Sequence, residues 1–302
     1  MDMSFKKVSV IGAGTLGAQI AMLAAYAGYQ VTMFDVRPGA FAETVERFRS
    51  DLKSQSIEPY IPWDKWDECK SSVRKVADLD EAVKDADLVI ESVPENLALK
   101  REVWAELGRK SPPNAILATN SSSMPVSRME ESGGRPEKSL NIHFYMILGG
   151  MNMADVMGGS RTTPEVLQQG ADWVRSLGFI PLTVKKELLG FCFNRVWRAI
   201  KKEVLSMWGN DYVDFRDLDR AWMIFSRMKV GPFGMMDEVG LDVIHAIEMV
   251  YYEDSKDERD KPPQALRDKV ARGELGVKTK KGFYTYPDPE YSRPDFLKSG
   301  AK

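Results

Sequence analysis

Residues 7–21 read KVSVIGAGTLGAQIA and place a glycine-rich turn between a short apolar strand and an apolar helix. Gly12 allows the strand to turn sharply, Gly14 allows the backbone to approach a phosphate, and Gly17 allows the helix to lie close to the strand. This geometry suits the pyrophosphate of a dinucleotide. An ordinary strand–turn–helix unit that happens to be rich in glycine is the alternative interpretation.

The segments that flank the turn support a dinucleotide site. Thr15 and Leu16 open the helix, whose free N–H groups and positive dipole end would face the phosphates. A second apolar strand over 30–35 ends in Asp35, at about the 20-residue spacing where a carboxylate accepts a hydrogen bond from the ribose 2′-OH. Such a carboxylate would repel a 2′-phosphate, so the sequence favours NAD over NADP. Arg37 is interpreted as a solvated loop cation, with phosphate pairing as its alternative role.

Length and composition bound the remaining possibilities. The 302 residues are enough for two domains, and 43% hydrophobic residues, 28% charged residues and a net charge of −2 are typical of a globular protein. The sequence has neither the basic surplus of a nucleic-acid-binding protein nor an apolar run that predicts a membrane span. Its start does not resemble a signal peptide, and Cys69 and Cys192 form neither a disulfide framework nor a metal-ligand pattern. We therefore expect a cytoplasmic protein without a metal site.

Strand-like and helix-like segments alternate along the first part of the chain. Strands are predicted over 30–35, 87–93, 115–119, 140–145 and 180–184, and helices over 41–52, 79–84, 97–107 and 164–177. This alternation predicts an α/β fold with a doubly wound sheet. Further helices are predicted over 191–208, 218–228, 241–251 and 263–272, followed by a loose tail over 287–302. We place the boundary near Lys186, which gives an α/β domain of residues 1–186 and an all-helical domain of residues 187–302.

His143 is the main candidate for acid–base chemistry, because the chain contains only two histidines. It lies on a predicted strand whose end should reach the crevice where open α/β sheets bind ligands. Asp155 follows nearby, and the run NSSS at 120–123 follows another predicted strand, so these groups could converge on one pocket. A buried structural histidine and a helix cap at Ser123 explain the same residues equally well.

Further short motifs follow the glycine turn along nearly the whole chain. They read ESVPENLALK at 91–100, ATNSSS at 118–123, HFY at 143–145, GFCFNR at 190–195, GPF at 231–233, DEVGLD at 237–242 and KTKKGFY at 278–284. In this order the motifs resemble those of the NAD-dependent L-3-hydroxyacyl-CoA dehydrogenases. The resemblance implies a Rossmann-like N-terminal domain, a helical C-terminal domain that forms a homodimer, and a role in fatty acid metabolism. Related L-gulonate 3-dehydrogenases and L-carnitine dehydrogenases act on free hydroxy acids without CoA.

The same resemblance assigns roles to individual residues. His143 would be the general base that takes the proton of the substrate C3 hydroxyl while the C3 hydride passes to NAD. Asp155 stands where the family has a glutamate that pairs with this histidine. Ser122 and Asn194 would hydrogen-bond the reacting oxygen or orient the substrate and the histidine. The remaining assignments are Glu95, Lys100 and Asn120 in the cofactor site, and Met146 beside the substrate.

Three departures from the family pattern lie beside the substrate. The family reads His-Phe-Phe-Asn-Pro where this chain has HFYMI at 143–147, the following loop is rich in glycine and methionine, and Asp155 is one methylene shorter than glutamate. The segment that carries CoA contacts in the family has balanced charges here. We predict an L-3-hydroxyacyl-CoA dehydrogenase with unusual acyl specificity for a bulky, apolar or aromatic group. The alternatives are a dehydrogenase of a free 3-hydroxy acid and a non-catalytic, structural NAD-binding protein.

Overall fold

A computed structural model describes residues 5–145 and 150–298. The internal contacts divide the chain into a first unit that ends at Phe193 and a second unit that begins at Asn194. The boundary predicted near Lys186 lies slightly earlier, after the last strand of the first unit. Within the described ranges, every helix is too short or too polar to cross a membrane.

The first unit is built on one eight-stranded sheet. All neighbouring strands are parallel except the sixth and seventh, which are antiparallel. The order across the sheet is β3 (Arg74–Val76), β2 (Gln30–Phe34), β1 (Lys7–Ile11), β4 (Leu88–Glu91), β5 (Ile116–Thr119), β6 (Ser139–Phe144), β7 (Met153–Gly158) and β8 (Ile180–Val184). The first six strands thus follow the doubly wound order, and the predicted fold class is confirmed.

Six helices in the described part of this unit accompany the sheet. Asp78, Asn96 and Thr163 each begin a helix by accepting a backbone N–H bond with the side chain, which is why three of these helices start where they do. β4 and β5 are buried along their whole length, as expected for central parallel strands covered on both faces. The helices are α1 (Thr15–Tyr26), α2 (Ala40–Ser54), α3 (Trp66–Ser72), α4 (Leu79–Val83), α5 (Leu97–Lys110) and α6 (Pro164–Ser176).

The structure contains two strands that the sequence pattern does not predict. β3 is a three-residue edge strand that begins with two cations, Arg74 and Lys75, so it lacks an apolar signal. β7 is an apolar run interrupted by the charged Asp155, and the sequence pattern therefore indicates a loop there. β7 brings Asp155 into the sheet directly beside β6.

The second unit is helical, as predicted. Its first helix begins at Phe193 rather than at residue 191, because Phe191 has a left-handed φ of 54° that a helix cannot accommodate. The expected loose tail is wrong for residues 287–298, since Phe296 is buried in this unit's core. The helices are α7 (Phe193–Gly209), α8 (Phe215–Ser226), α9 (Pro232–Val239), which the sequence did not predict, α10 (Leu241–Ser255) and α11 (Gln264–Ala271).

A buried aspartate ties the core of the second unit together. Asp219 on α8 accepts the backbone N–H groups of Phe233 at 2.9 Å and Gly234 at 3.1 Å, and the Tyr284 hydroxyl at 2.9 Å. Burial raises the pKa of Asp219 to about 6, although these three donors favour the ionised form. Asp219 therefore anchors the start of α9 and couples this core to pH.

Candidate active site

The glycine turn joins β1 to α1 and leaves the first turn of the helix open. Gly12 has a φ of 103°, and a Cβ on Gly17 would lie 1.9 Å from the Gly12 carbonyl oxygen, so both positions require glycine. A Cβ on Gly14 would meet no described protein atom within 4 Å. α1 has no capping side chain and no acid in its first turn, so its N–H groups can receive an anion such as a pyrophosphate.

Asp35 follows the last residue of β2 and is held against the glycine turn. Its Oδ2 accepts the Ala13 N–H at 2.7 Å, and its Oδ1 accepts the Arg37 N–H at 2.8 Å. The Arg37 guanidinium forms an ion pair with Glu43 and is largely exposed. A 2′-phosphate would therefore meet a fixed carboxylate and a cation that already has an acidic partner, which favours NAD over NADP.

Two cavities flank the turn and share Gly14, Thr15, Ser92 and Val93 in their walls. The larger, about 550 Å³, extends over Asp35, and the smaller is about 280 Å³. Two adjacent cavities at the carboxyl ends of the strands suit the two halves of an elongated dinucleotide. The predicted site residues in the smaller cavity are Gly14, Thr15, Leu16, Glu95, Lys100, Asn120 and Ser122, and those in the larger are Gly12, Gly14, Thr15 and Asp35.

A fully buried acid, Glu91, organises the protein beside the smaller cavity. Its Oε1 accepts the Lys100 ammonium at 2.7 Å and the Val93 N–H at 2.8 Å. Its Oε2 accepts the Thr119 hydroxyl at 2.8 Å and the Trp104 indole N–H at 3.2 Å. These four donors compensate the loss of hydration of the carboxylate. The sequence analysis did not select Glu91, although an acid at the end of an apolar buried strand was the available signal.

Lys100 links Glu91 to Glu95. The Lys100 Nζ lies 3.2 Å from the Glu95 Oε2 and donates to the Val93 carbonyl at 3.2 Å, so its protons are directed at protein acceptors. Burial acts to raise the pKa of Glu95, but Lys100 and the hydroxyls of Ser121 and Ser123 outweigh it and lower that pKa. Glu95 is therefore an ionised group in the wall of the smaller cavity, and Lys100 holds the Glu95 carboxylate in place.

The serine run after β5 has a different local structure from the predicted one. Ser121, not Ser123, provides the cap, because its Oγ accepts the Met124 N–H at 2.8 Å. The element that follows this cap is a short 3₁₀ turn, Val126–Arg128, and not the α-helix that a cap at Ser123 would begin. Asn120 accepts the Phe144 N–H at 2.9 Å through its Oδ1, which ties the end of β5 to β6.

His143 and Asp155 lie directly opposite each other on the antiparallel strands β6 and β7. The His143 Nδ1 is 3.2 Å from the Asp155 Oδ2, and both side chains are buried. An ionised carboxylate only accepts hydrogen bonds, so Nδ1 carries the proton and Nε2 is the basic nitrogen of the ring. The structure therefore brings together the histidine and the acid that the sequence singled out.

Three further groups surround this pair, and the sequence analysis did not assign a role to any of them. The Tyr145 hydroxyl donates to the Asp155 Oδ2 at 2.6 Å, and the Cys192 N–H donates to the Oδ1 at 3.2 Å. The Phe191 ring stacks on the imidazole with centroids 5.1 Å apart and an interplanar angle of 16°. The sequence signals that could have identified them were the tyrosine of HFY at 143–145 and the GF pair at 190–191.

Two predicted substrate residues are not part of this cluster. Asn194 is the second residue of α7 and the first residue of the second unit. Met146 lies outside the described residues. The roles of both residues toward the substrate stay predictions, and so does the role of Ser122, which is exposed in the wall of the smaller cavity.

Two family models together match most of the chain. The NAD-binding domain of 3-hydroxyacyl-CoA dehydrogenase matches residues 7–188, and the C-terminal domain of the same enzyme matches residues 190–286. The chain belongs to the 3-hydroxyacyl-CoA dehydrogenase family. This dehydrogenase is an NAD-dependent oxidoreductase that acts on a CH–OH group, so the predicted family, cofactor and enzyme class are confirmed.

Similar proteins in this family differ in their substrates. The chain is 30% identical over 292 residues to 5-formyl-3-hydroxy-2-methylpyridine 4-carboxylate 5-dehydrogenase of Mesorhizobium japonicum, covering 95% of this chain and 93% of that protein. It is 30% identical over 294 residues to a probable 3-hydroxybutyryl-CoA dehydrogenase of Bacillus subtilis, covering 95% and 99%. Among solved structures, a diketoreductase that acts on dicarbonyl compounds aligns with a TM-score of 0.83 at 33% identity, covering 93% of this chain and 99% of that one.

Proposed function

We propose that this dehydrogenase oxidises the C3 hydroxyl of an L-3-hydroxyacyl-CoA, with His143 as the general base. The observation that carries the proposal is the buried hydrogen bond between His143 Nδ1 and Asp155, which leaves Nε2 as the proton acceptor. NAD, when bound, supplies the acceptor for the C3 hydride. The products are the 3-ketoacyl-CoA, NADH and the proton that Nε2 removes.

The protein's own groups divide the remaining work between them. Asp155 stabilises the imidazolium that forms when His143 takes the proton, because a negative charge lies against Nδ1. Ser122 and Asn194 orient the reacting oxygen. The glycine turn, Asp35 and Glu95 would hold NAD, since they line the two adjacent cavities.

A variant of the base tests this proposal. His143→Ala should abolish NADH formation from 3-hydroxyacyl-CoA while leaving the Kd for NAD nearly unchanged, because His143 is absent from the walls of both NAD cavities. The matched control is His245→Ala, which removes the other histidine, on α10 of the second unit. An active His143→Ala variant would contradict the assignment of the base, and an inactive wild type that binds NAD would indicate a structural NAD-binding protein.

A substrate without CoA is the second candidate. Two of the three cations on α2, where the family carries CoA contacts, already have partners: Arg49 bonds Asp67 at 2.9 Å, and the Lys53 ammonium lies 5.3 Å from the Trp63 ring centre. The diketoreductase and the pyridine carboxylate dehydrogenase also carry non-CoA substrates in their names. An NADH-oxidation screen across 3-ketoacyl-CoA esters and matched free 3-keto acids separates the two candidates. A higher kcat/KM for the free 3-keto acids than for the CoA esters would show that the substrate is a free acid.

The second unit supports the proposal of a homodimer. Val243, Ile247 and Val250 recur on one face of α10 and are all exposed, and on α8 the adjacent Ile224 and Phe225 are exposed, Phe225 by 89%. Exposed apolar faces of this kind favour association with a second copy. Sedimentation at micromolar concentration should show a dimer, and Phe225→Glu should shift it toward monomer. A monomeric wild type would contradict the proposal.

A further inference from the structure

We infer that Tyr145 is a positioning residue that holds Asp155 toward His143 and sets the pH range in which the base works. The inference rests on the proposed role of His143 as the general base. Tyr145 is thereby added to the histidine–acid pair as a third residue, with a measurable effect on the pH dependence of kcat/KM.

The hydrogen bonds of Asp155 are the first observation. Its Oδ2 accepts both the Tyr145 hydroxyl at 2.6 Å and the His143 Nδ1–H at 3.2 Å, while from the described residues its Oδ1 accepts the Cys192 N–H alone, at 3.2 Å. The tyrosine bond is the shortest of the three, as charge-assisted O–H···O⁻ bonds are. The carboxylate is therefore fixed more firmly by Tyr145 than by the histidine that it serves.

The aromatic contacts of His143 are the second observation. The Tyr145 ring meets the imidazole edge-on, with centroids 4.6 Å apart and an interplanar angle of 66°. Phe191 covers a face of the same imidazole. Tyr145 thus contacts both members of the pair, the imidazole through its ring and the carboxylate through its hydroxyl. Removal of the hydroxyl alone would abolish the contact with the carboxylate and keep the contact with the imidazole.

The charges around Asp155 give the direction of the effect. Among the described residues, the titratable side chains in contact with its carboxylate are His143 on β6 and Tyr145 just after β6; the segment before α7 contributes the backbone N–H of Cys192, and the β8 register partner is the apolar Leu182. A donor on Oδ2 withdraws negative charge from the oxygen that faces the imidazole. The hydroxyl therefore weakens the stabilisation of the imidazolium, and its removal should strengthen it.

Tyr145→Phe tests the inference because it keeps the ring and removes the hydroxyl. We expect the acidic limb of the kcat/KM profile for alcohol oxidation to move to higher pH by about half a unit, since a more stable imidazolium loses its proton at higher pH. We expect kcat to fall about tenfold, because Asp155 loses its shortest bond. The Kd for NAD should not change. The matched control is Tyr29→Phe, which removes a hydroxyl that contacts Ser176 in the same unit and should leave the profile in place.

A second substitution covers the case in which Tyr145→Phe does not fold. Fluorotyrosine placed at position 145 keeps the hydroxyl and makes it a stronger donor, so the acidic limb should move to lower pH. A wild-type profile in both variants, with an active wild type and an inactive His143→Ala, would overturn the role of Tyr145 alone. An active His143→Ala variant would instead overturn the proposed function.

Discussion

Asp155→Asn is the substitution whose effect follows most directly from the geometry of the site. The carboxylate accepts three hydrogen bonds, from His143, Tyr145 and the Cys192 N–H, whereas an asparagine side chain has only one acceptor oxygen. If the new NH₂ group replaces Oδ1, it meets the Cys192 N–H, and two donors face each other. Such a buried mismatch costs about 1–3 kcal/mol.

The other orientation is cheaper because the partners can adapt. With NH₂ in place of Oδ2, the Tyr145 hydroxyl can rotate to accept, and His143 can accept through Nδ1. The imidazole then carries its proton on Nε2 and cannot act as a base. A wrong tautomer of this kind lowers kcat by roughly 10³–10⁴, which corresponds to about 4–5.5 kcal/mol of transition-state stabilisation.

Steady-state NADH formation at saturating substrate measures the loss, and calorimetry measures the Kd for NAD. The matched control is Asp172→Asn on α6, an exposed acid that pairs with Arg175 and should leave kcat unchanged. If Asp155→Asn kept more than about a tenth of kcat, a loss of only 1.4 kcal/mol, Asp155 would not set the tautomer of His143. A loss of NAD binding equal to the loss of kcat would also contradict the reasoning.

Three further predictions test the cofactor site and the second unit. Gly17→Ala should lower the Tm, because its Cβ would lie 1.9 Å from a carbonyl oxygen, whereas Gly14→Ala should fold normally and weaken NAD binding; equal effects on Tm would contradict this distinction. Glu43→Gln should release Arg37 and improve NADP binding relative to NAD by up to about fivefold, as expected for an exposed ion pair, and an unchanged ratio of the two Kd values would refute it. The folded-state pKa of Asp219 is raised to about 6, so its contribution to the free energy of unfolding should be complete below about pH 4 and lost as pH rises through 6, by up to about 3 kcal/mol. Asp219→Asn should remove this pH dependence of the free energy of unfolding, measured by urea unfolding at several pH values. A pH dependence like that of the wild type would contradict the prediction.

The cofactor half of the site could be predicted from the sequence because its constraints are local. Gly12, Gly14 and Gly17 lie within one turn: Gly12 has a positive φ, Gly17 lies against the Gly12 carbonyl, and Gly14 leaves open space for a ligand. Asp35 follows at a spacing fixed by one helix and one strand. The type of residue at each of these positions is therefore enough to predict the dinucleotide site.

The acid–base half depends on pairing between strands, which the sequence pattern does not encode. Asp155 is charged, so it breaks the apolar run that would otherwise indicate β7, and its partner is visible only once β6 and β7 are aligned. Glu91 was missed for a similar reason, since its four donors come from α5, β5 and the loop after β4. Resemblance to the family identified His143 and Asp155 as partners, but it did not reveal the hydroxyl of Tyr145.

The alignment of β6 with β7 pairs the histidine and the acid through strand register. Hydrogen bonding between the two strands sets which residues face each other, so the register that pairs His143 with Asp155 does not depend on the segment that follows Tyr145, residues 146–152. Changes of length or side chain in that segment can accumulate while proton transfer is retained. A family with one reaction and many substrates would evolve most easily at such a connection, and grafting relatives' versions of it onto this scaffold is a direct route to altered substrate range.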